Sequence, residues 1–202
     1  MKEGKLFVIS GPSGVGKGTI CERIIEIHDA VLSVSMTTRI PRDIEIDGVS
    51  YYFVSHSEFE EAIANDTLFE YAEVFDNYYG TPAGPVLKHL KEGKDVILEI
   101  DVQGAMKVQK KYPDCILIFV LPKSMTALSE RIESRGTETK ESIAKRLTKA
   151  MSEIGYLDYY DYHVINDDLD TAVQEVFAII KAESLKVNSM TKNKILKDML
   201  IE

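Results

Sequence analysis

The chain has 202 residues, 45% apolar and 28% charged, with 24 basic against 33 acidic side chains and a net charge of −9. Such a length suits one domain with a substantial core, and the acidic balance excludes a broad nucleic-acid-binding face while leaving room for a small basic pocket. The opening apolar run "LFVIS" is too short for a secretory signal or a membrane span, and Cys21, Cys115, His28, His56, His89 and His163 lie too far apart for a zinc site, so a reduced, cytoplasmic protein is expected.

In chain order, "KLFVIS" closed by glycine predicts a buried strand. Residues from Lys17 to about His28 carry helical periodicity, with Ile20, Ile24, Ile25 and Ile27 on or near one face. Residues 35 to about 82 break the pattern. Short alternating runs ("YYFVS", "LFEYAEVF"), turn signals at Ile40-Pro41 and Asp47-Gly48, and many tyrosines predict a small inserted mixed β subdomain. "DVILEID" (95–101) and "CILIFVL" (115–121) are β-branched-rich strands with a helical stretch between them. Residues 124 to about 155 are rich in charge and helix formers, and "SRGTET" divides them into two helices suited to a mobile lid. "YHVIN" (162–166) predicts a last short strand, followed by a helix from about Leu169 to Leu185. Repeated strand–helix units give an α/β fold, a parallel sheet covered by helices on both faces. Its core is expected at about 1–34, 83–123 and 156–185, with the tail 186–202 unassigned.

The loop "GPSGVGKGT" stands between the first strand and the first helix; it comprises Gly11, Pro12, Ser13, Gly14, Val15, Gly16, Lys17, Gly18 and Thr19. In that setting backbone N–H groups converge at a positive helix end on phosphate oxygens, and the lysine reaches the β- and γ-phosphates of a nucleotide. The usual pattern has a hydroxyl directly after the lysine, whereas here Gly18 intervenes and Thr19 comes one place late. Magnesium would rest on phosphates, water and Thr19 rather than on strong side-chain ligands, which suits an ion that keeps several waters beside phosphate. Glu99 and Asp101, two apart, would share a face at the carboxyl end of their strand, where such sheets open on ligands. Acids there orient metal-bound water or accept hydrogen bonds from a substrate.

Eighteen of the basic residues are lysine and six are arginine; Arg39 and Arg42 form one cluster, Arg131, Arg135 and Arg146 another. A planar guanidinium suits bidentate phosphate contacts, so arginines grouped in a lysine-rich chain point to phosphate. Pro41 restricts the loop around the first pair. Arg131 and Arg135, four apart, would share one helix face, with a salt-bridged surface to Glu130 and Glu133 as the plainer reading.

Taken together, "GPSGVGKGT", "SVSMTTRIPRDIEIDGVSYYFVS", "YYGTP", "ILEIDVQGA", "RIESRGTET" with "AKRLTKA", and "VINDDLDTA" resemble, in order over about residues 5 to 180, the guanylate kinase family. The resemblance implies a P-loop nucleoside monophosphate kinase fold with an inserted GMP-binding subdomain and a helical lid. It also implies Mg2+-dependent phosphoryl transfer from ATP to GMP, and to dGMP more slowly. It carries a guanine pocket onto Ser35, Glu70 and Asp101. The GMP-phosphate grip falls on Arg39, Arg42, Tyr51 and Tyr79, with Thr81 beside them. Lys17, Arg39, Arg131, Arg135 and Arg146 become the transfer residues, Asn166 falls near the ATP adenine, and Glu99 lies near the metal.

Guanine chemistry agrees: N1–H and the exocyclic amine are donors that need carboxylate acceptors, and O6 needs a donor such as the Ser35 hydroxyl. The chain departs from the family pattern at Asp43-Ile44, where another loop path is expected, and at Met36, which replaces a usual threonine. A non-catalytic guanylate-kinase-like interaction module and a kinase for AMP, UMP or dTMP are the alternatives. The complete lysine and arginine set speaks against the first, and Ser35, Glu70 and Asp101 against the second.

Overall fold

In the computed structural model, which describes residues 3–74, 76–134, 139–187 and 199, strands and helices alternate along most of the chain. It runs through β1 (Leu6–Ser10), α1 (Lys17–Ile27), β2 (Ala30–Leu32), β3 (Met36–Thr37), β4 (Tyr52–Phe53), α2 (His56–Ala64), β5 (Leu68–Val74) and β6 (Asn77–Pro82). Then come α3 (Ala83–Lys91), β7 (Asp95–Glu99), α4 (Val102–Lys111), β8 (Ile116–Pro122), α5 (Met125–Glu133) and α6 (Lys140–Ile154). A 3-10 turn (Leu157–Tyr159), β9 (Tyr162–Asn166) and α7 (Leu169–Leu185) follow.

Five parallel strands in the order β2-β7-β1-β8-β9 form the larger sheet. Alternate residues of β1 feed two different cores. Leu6 and Val8 pack with Val86 and Leu90 of α3 and Ala105 and Val108 of α4. Phe7 and Ile9 pack with Ile20 and Ile24 of α1 and Val176 and Ile180 of α7. Burial on both faces is why the strand reads as one apolar run, and each such side chain stabilises the fold by about 1.5–3 kcal/mol. The carboxyl ends of β1, β7, β8 and β9 therefore open on a common edge.

The smaller sheet is mixed, in the order β4-β3-β6-β5, with β3–β4 parallel and the other two pairs antiparallel. Two of its tyrosines serve as packing: Phe59 of α2 stacks on Tyr78 at 5.2 Å and meets Tyr71 edge-on at 6.5 Å. Phe69 of β5 ties this sheet to the α3–α4 core. Helices α5 and α6 pack through a small cluster of their own, Leu128, Ile132 and Ala150. The edge strand β2, absent from the sequence expectation, has only three residues, too few to show a periodicity.

Candidate active site

From Ser10 the chain turns through 11–16 into α1, whose N-cap is Gly16 at φ 97. A Cβ there would stand 2.5 Å from Asn166 Nδ2, so the left-handed backbone and the lack of space both demand glycine. No side chain caps α1. By contrast α2, α4, α5, α6 and α7 each begin on a side-chain acceptor. The first N–H groups of α1, like those of α3, thus have no side-chain acceptor at the cap. The Val15 carbonyl accepts from Asn166 Nδ2 at 2.7 Å and from the Arg131 guanidinium at 3.3 Å, so the end of β9 and the end of α5 both brace the loop. Lys17 Nζ donates to the carbonyls of Gly11 (2.8 Å) and Pro12 (3.2 Å). Burial lowers its pKa from the ordinary lysine value, and the charges of Glu99 and Glu153 oppose the shift.

The expected Glu99–Asp101 pair divides. Strand β7 stops at Glu99, so alternation no longer governs Asp101, which turns to cap α4 by accepting from Gly104 N–H at 2.8 Å. Glu99 lies instead over the first turn of α1, where a Cβ on Gly18 would meet its Oε2 at 3.4 Å; Thr19 is the exposed next residue. Solvent reaches Glu99, yet enough protein surrounds it that desolvation raises its pKa, with Lys17 pulling the other way. Glu70 of β5 is buried and accepts from Thr81 Oγ1, its cross-strand neighbour, at 2.8 Å. Burial pushes its carboxyl up to about 7, with the Asp101 charge adding to the rise. Ser35, just before β3, is half-buried, and its carbonyl accepts from Tyr52 N–H at 2.8 Å. Met36 pairs in register with Tyr52 and Gly80.

Glu45, which the sequence reading passed over as a site residue, organises the arginine loop. One terminal nitrogen of Arg39 donates to both its oxygens, at 2.7 and 2.9 Å, and the Arg42 backbone N–H donates to Oε2 at 2.8 Å. The Arg39 guanidinium lies over Tyr51 at 5.6 Å and Phe53 at 5.9 Å, and Tyr51 meets Tyr79 edge-on at 6.0 Å. Asp43 and Ile44 turn outward to solvent, which lets Glu45 reach back; the Arg42 guanidinium is largely exposed, 4.0 Å from Glu45 Oε1. A carboxylate three places after Arg42 was the available signal.

Arg131 also donates to the Asp167 carbonyl at 3.3 Å, and Arg146 of α6 donates to Ser13 Oγ at 2.8 Å. Both helices thereby reach the loop by a guanidinium, which the plainer salt-bridge reading of Arg131 did not foresee. Arg135 lies outside the described residues. Glu153 of α6, also unforeseen, is buried with Lys149 at 3.7 Å, and burial raises its pKa.

A lysine-bearing loop at the end of the central parallel strand, with carboxylates to one side and guanidiniums to the other, puts the chain among the P-loop nucleotide kinases. Comparison narrows the class. The guanylate kinase family model matches residues 3–183. The guanylate kinase of Caldanaerobacter subterraneus subsp. tengcongensis is 54% identical over 93% of this chain and 91% of its own length. That of Carboxydothermus hydrogenoformans is 48% identical over 100% of both. A crystal structure of guanylate kinase from Anaplasma phagocytophilum, 34% identical, superposes with a TM-score of 0.78 over 92% of this chain and 89% of that one. The chain belongs to the guanylate kinase family.

Proposed function

We infer that this chain transfers the γ-phosphoryl group of ATP to GMP, giving ADP and GDP, as a step in guanine nucleotide supply. The observation that carries the acceptor choice is the buried Glu70 carboxylate beside Asp101, both closing on the first turn of α4. Two carboxylates complement guanine's N1–H and exocyclic amine, and Ser35 serves O6. Adenine offers no such donor pair to the buried Glu70 and half-buried Asp101, a mismatch worth on the order of 10⁴-fold in discrimination. Arg39 and Arg42, oriented by Glu45, and Tyr51 and Tyr79 hold the GMP phosphate; dGMP, which keeps the same base, is a slower acceptor.

The nucleophile is a phosphate oxygen already ionised at neutral pH, so no general base is required. Catalysis is positioning plus charge neutralisation. Lys17 and the N–H groups of the loop hold the β- and γ-phosphates of ATP, while Arg131, Arg135 and Arg146 neutralise charge on the group in flight. Thr19 and Glu99 offer oxygen donors beside the loop that fit a hard, phosphate-borne cation, and among the described residues no cluster of three or more His, Cys, Asp or Glu forms a closed metal site. Mg2+, when bound there with ATP, neutralises phosphate charge. We assign α5–α6 as the lid and the smaller sheet as the GMP-binding unit; their closure excludes water. Two buried free thiols, Cys21 and Cys115, suit a reducing cytoplasm, and among the described residues no helix is long and apolar enough to cross a membrane.

The test is ADP release with ATP, Mg2+ and each monophosphate in turn. GMP should be turned over far faster than AMP, UMP or dTMP. Equal rates for all would refute the base reading, and no release with any would mark a non-catalytic module.

A further inference from the structure

The segment "VQGA" directly after Asp101 has no assigned task above. Gly104, the third residue of α4, is buried inside a helix, where glycine is the poorest ordinary residue. Its φ is not in the positive region, so the backbone does not require glycine here. Space does. A Cβ on Gly104 would stand 2.8 Å from Glu70 Oε2, 3.2 Å from Glu70 Cδ and 3.4 Å from Asp101 Oδ1. The Gly104 N–H also donates to Asp101 Oδ1 at 2.8 Å.

Glu70 has little freedom to withdraw from this contact. Its other oxygen is held by Thr81 Oγ1 at 2.8 Å. The strand around it is tied to the same helix: Lys107 Nζ donates to the Tyr71 carbonyl, and Lys111 Nζ to the Leu68 carbonyl at 3.0 Å. Backbone on both sides of Glu70 is therefore fixed relative to α4, and only the carboxylate tip can yield.

We propose that Gly104 is a specificity-determining positioning residue: its N–H aims Asp101, and its missing side chain admits the Glu70 carboxylate, so that both acceptors stand together for the donor edge of guanine. The proposal rests on the guanine-pocket reading above. It implies that selectivity responds to one methyl group far more than the fold does. Alanine is the better helix former, and the only contact under 3.0 Å is with a side-chain tip, so the fold tolerates it. The tip must nevertheless leave its place beside Asp101 or its bond to Thr81.

Gly104→Ala, Glu70→Ala and the double variant, compared by melting temperature and by steady-state kinetics with GMP and AMP, test this. Gly104→Ala should still fold cooperatively, because the better helix former offsets part of what the displaced carboxylate tip loses. Its KM for GMP should rise at least about tenfold, with its preference for GMP over AMP reduced, while kcat at saturating GMP and the KM for ATP change by less than about threefold. In the Glu70→Ala background the added alanine should change KM by less than about threefold, because the group it displaces is gone. Parental KM and selectivity in Gly104→Ala, failure to fold, or an equal loss with and without Glu70 would each overturn the proposal. Unchanged selectivity in Glu70→Ala would instead refute the guanine reading, and the proposal with it.

Discussion

In the proposed guanine pocket, Glu70 would couple base recognition to pH. Its carboxyl is pushed up to about 7 chiefly by burial. For stability the sign follows from the raised value: the contribution is fully present below the ordinary carboxylate pKa of about 4.5 and is lost as pH rises toward about 7. Glu70→Gln should accordingly raise the melting temperature above pH 7 and lose most of that advantage near pH 4. Binding has the opposite sign, since guanine's donors require the ionised acceptor. The kcat/KM for GMP should fall as pH drops below about 7, approaching tenfold per unit. The phosphate of GMP titrates too, near pH 6 by analogy with phosphorylated side chains. Glu70→Gln retains that phosphate ionisation, so only the part of the profile it abolishes belongs to Glu70. Identical profiles for both proteins would contradict the assignment. Lys17 gives a separable prediction, because its ammonium hydrogen-bonds the carbonyls of Gly11 and Pro12 in the loop proposed to hold ATP. Lys17→Ala should lower kcat by at least about 10³-fold while the calorimetric Kd for GMP stays within about twofold; lost GMP binding would contradict that division of labour.

The arginine loop behaves as a unit because one carboxylate holds both of its ends. Glu45 acts through Arg39, with both side chains largely shielded from solvent. Glu45→Ala should raise the KM for GMP about tenfold, the size expected for one charge-assisted hydrogen bond. Arg39→Ala should do at least as much, and the double variant should lose less than the two single losses combined, its excess over Arg39→Ala alone measuring Glu45's hold on Arg42. Fully additive losses would show that Glu45 does not act through Arg39. This loop also marks where the sequence was easy and hard to read. The phosphate loop was legible because glycine spacing and a lysine have few other uses between a strand and a helix. The centre of the parallel sheet was legible because burial on both faces leaves continuous apolar runs in β1, β7 and β8, whereas the three-residue edge strand β2 left none. Glu45 was not, since an acid in a charged loop is ordinarily solvated and only the folded chain shows it turned inward. Glu99 and Asp101 were found but wrongly joined, because a strand's alternation ends where the helix cap of α4 begins. Gly104 was visible as a letter, yet its meaning depends on a strand more than 30 positions earlier in the chain.

The proposed reaction draws on three units: the loop on the parallel sheet, the acids and Arg39 beside the mixed sheet, and the guanidiniums on α5–α6. On that reading no single unit brings the two phosphates together, so transfer would depend on how they close. Arg146 already reaches across to Ser13 Oγ at 2.8 Å, and Arg131 to the Val15 carbonyl, so the helix pair is held against the loop proposed to bind ATP. GMP is then the component that should complete the enclosure, and ATP alone should leave an open site where water competes poorly for want of alignment. GMP-independent ADP release should consequently run at least about 10³-fold below the rate with saturating GMP. Arg146→Lys keeps the charge but replaces a planar fork by a flexible point charge, so it separates neutralisation from alignment. In that variant kcat should fall about 10²-fold or more with little change in the KM for GMP. The ratio of ADP to GDP formed should rise above one, because imperfect closure of the proposed lid would admit water to the activated phosphate. Measuring both products in the same reaction checks this. A parental kcat in Arg146→Lys would show that charge alone suffices, and a ratio fixed at one despite a slowed reaction would show that exclusion of water does not depend on this arginine.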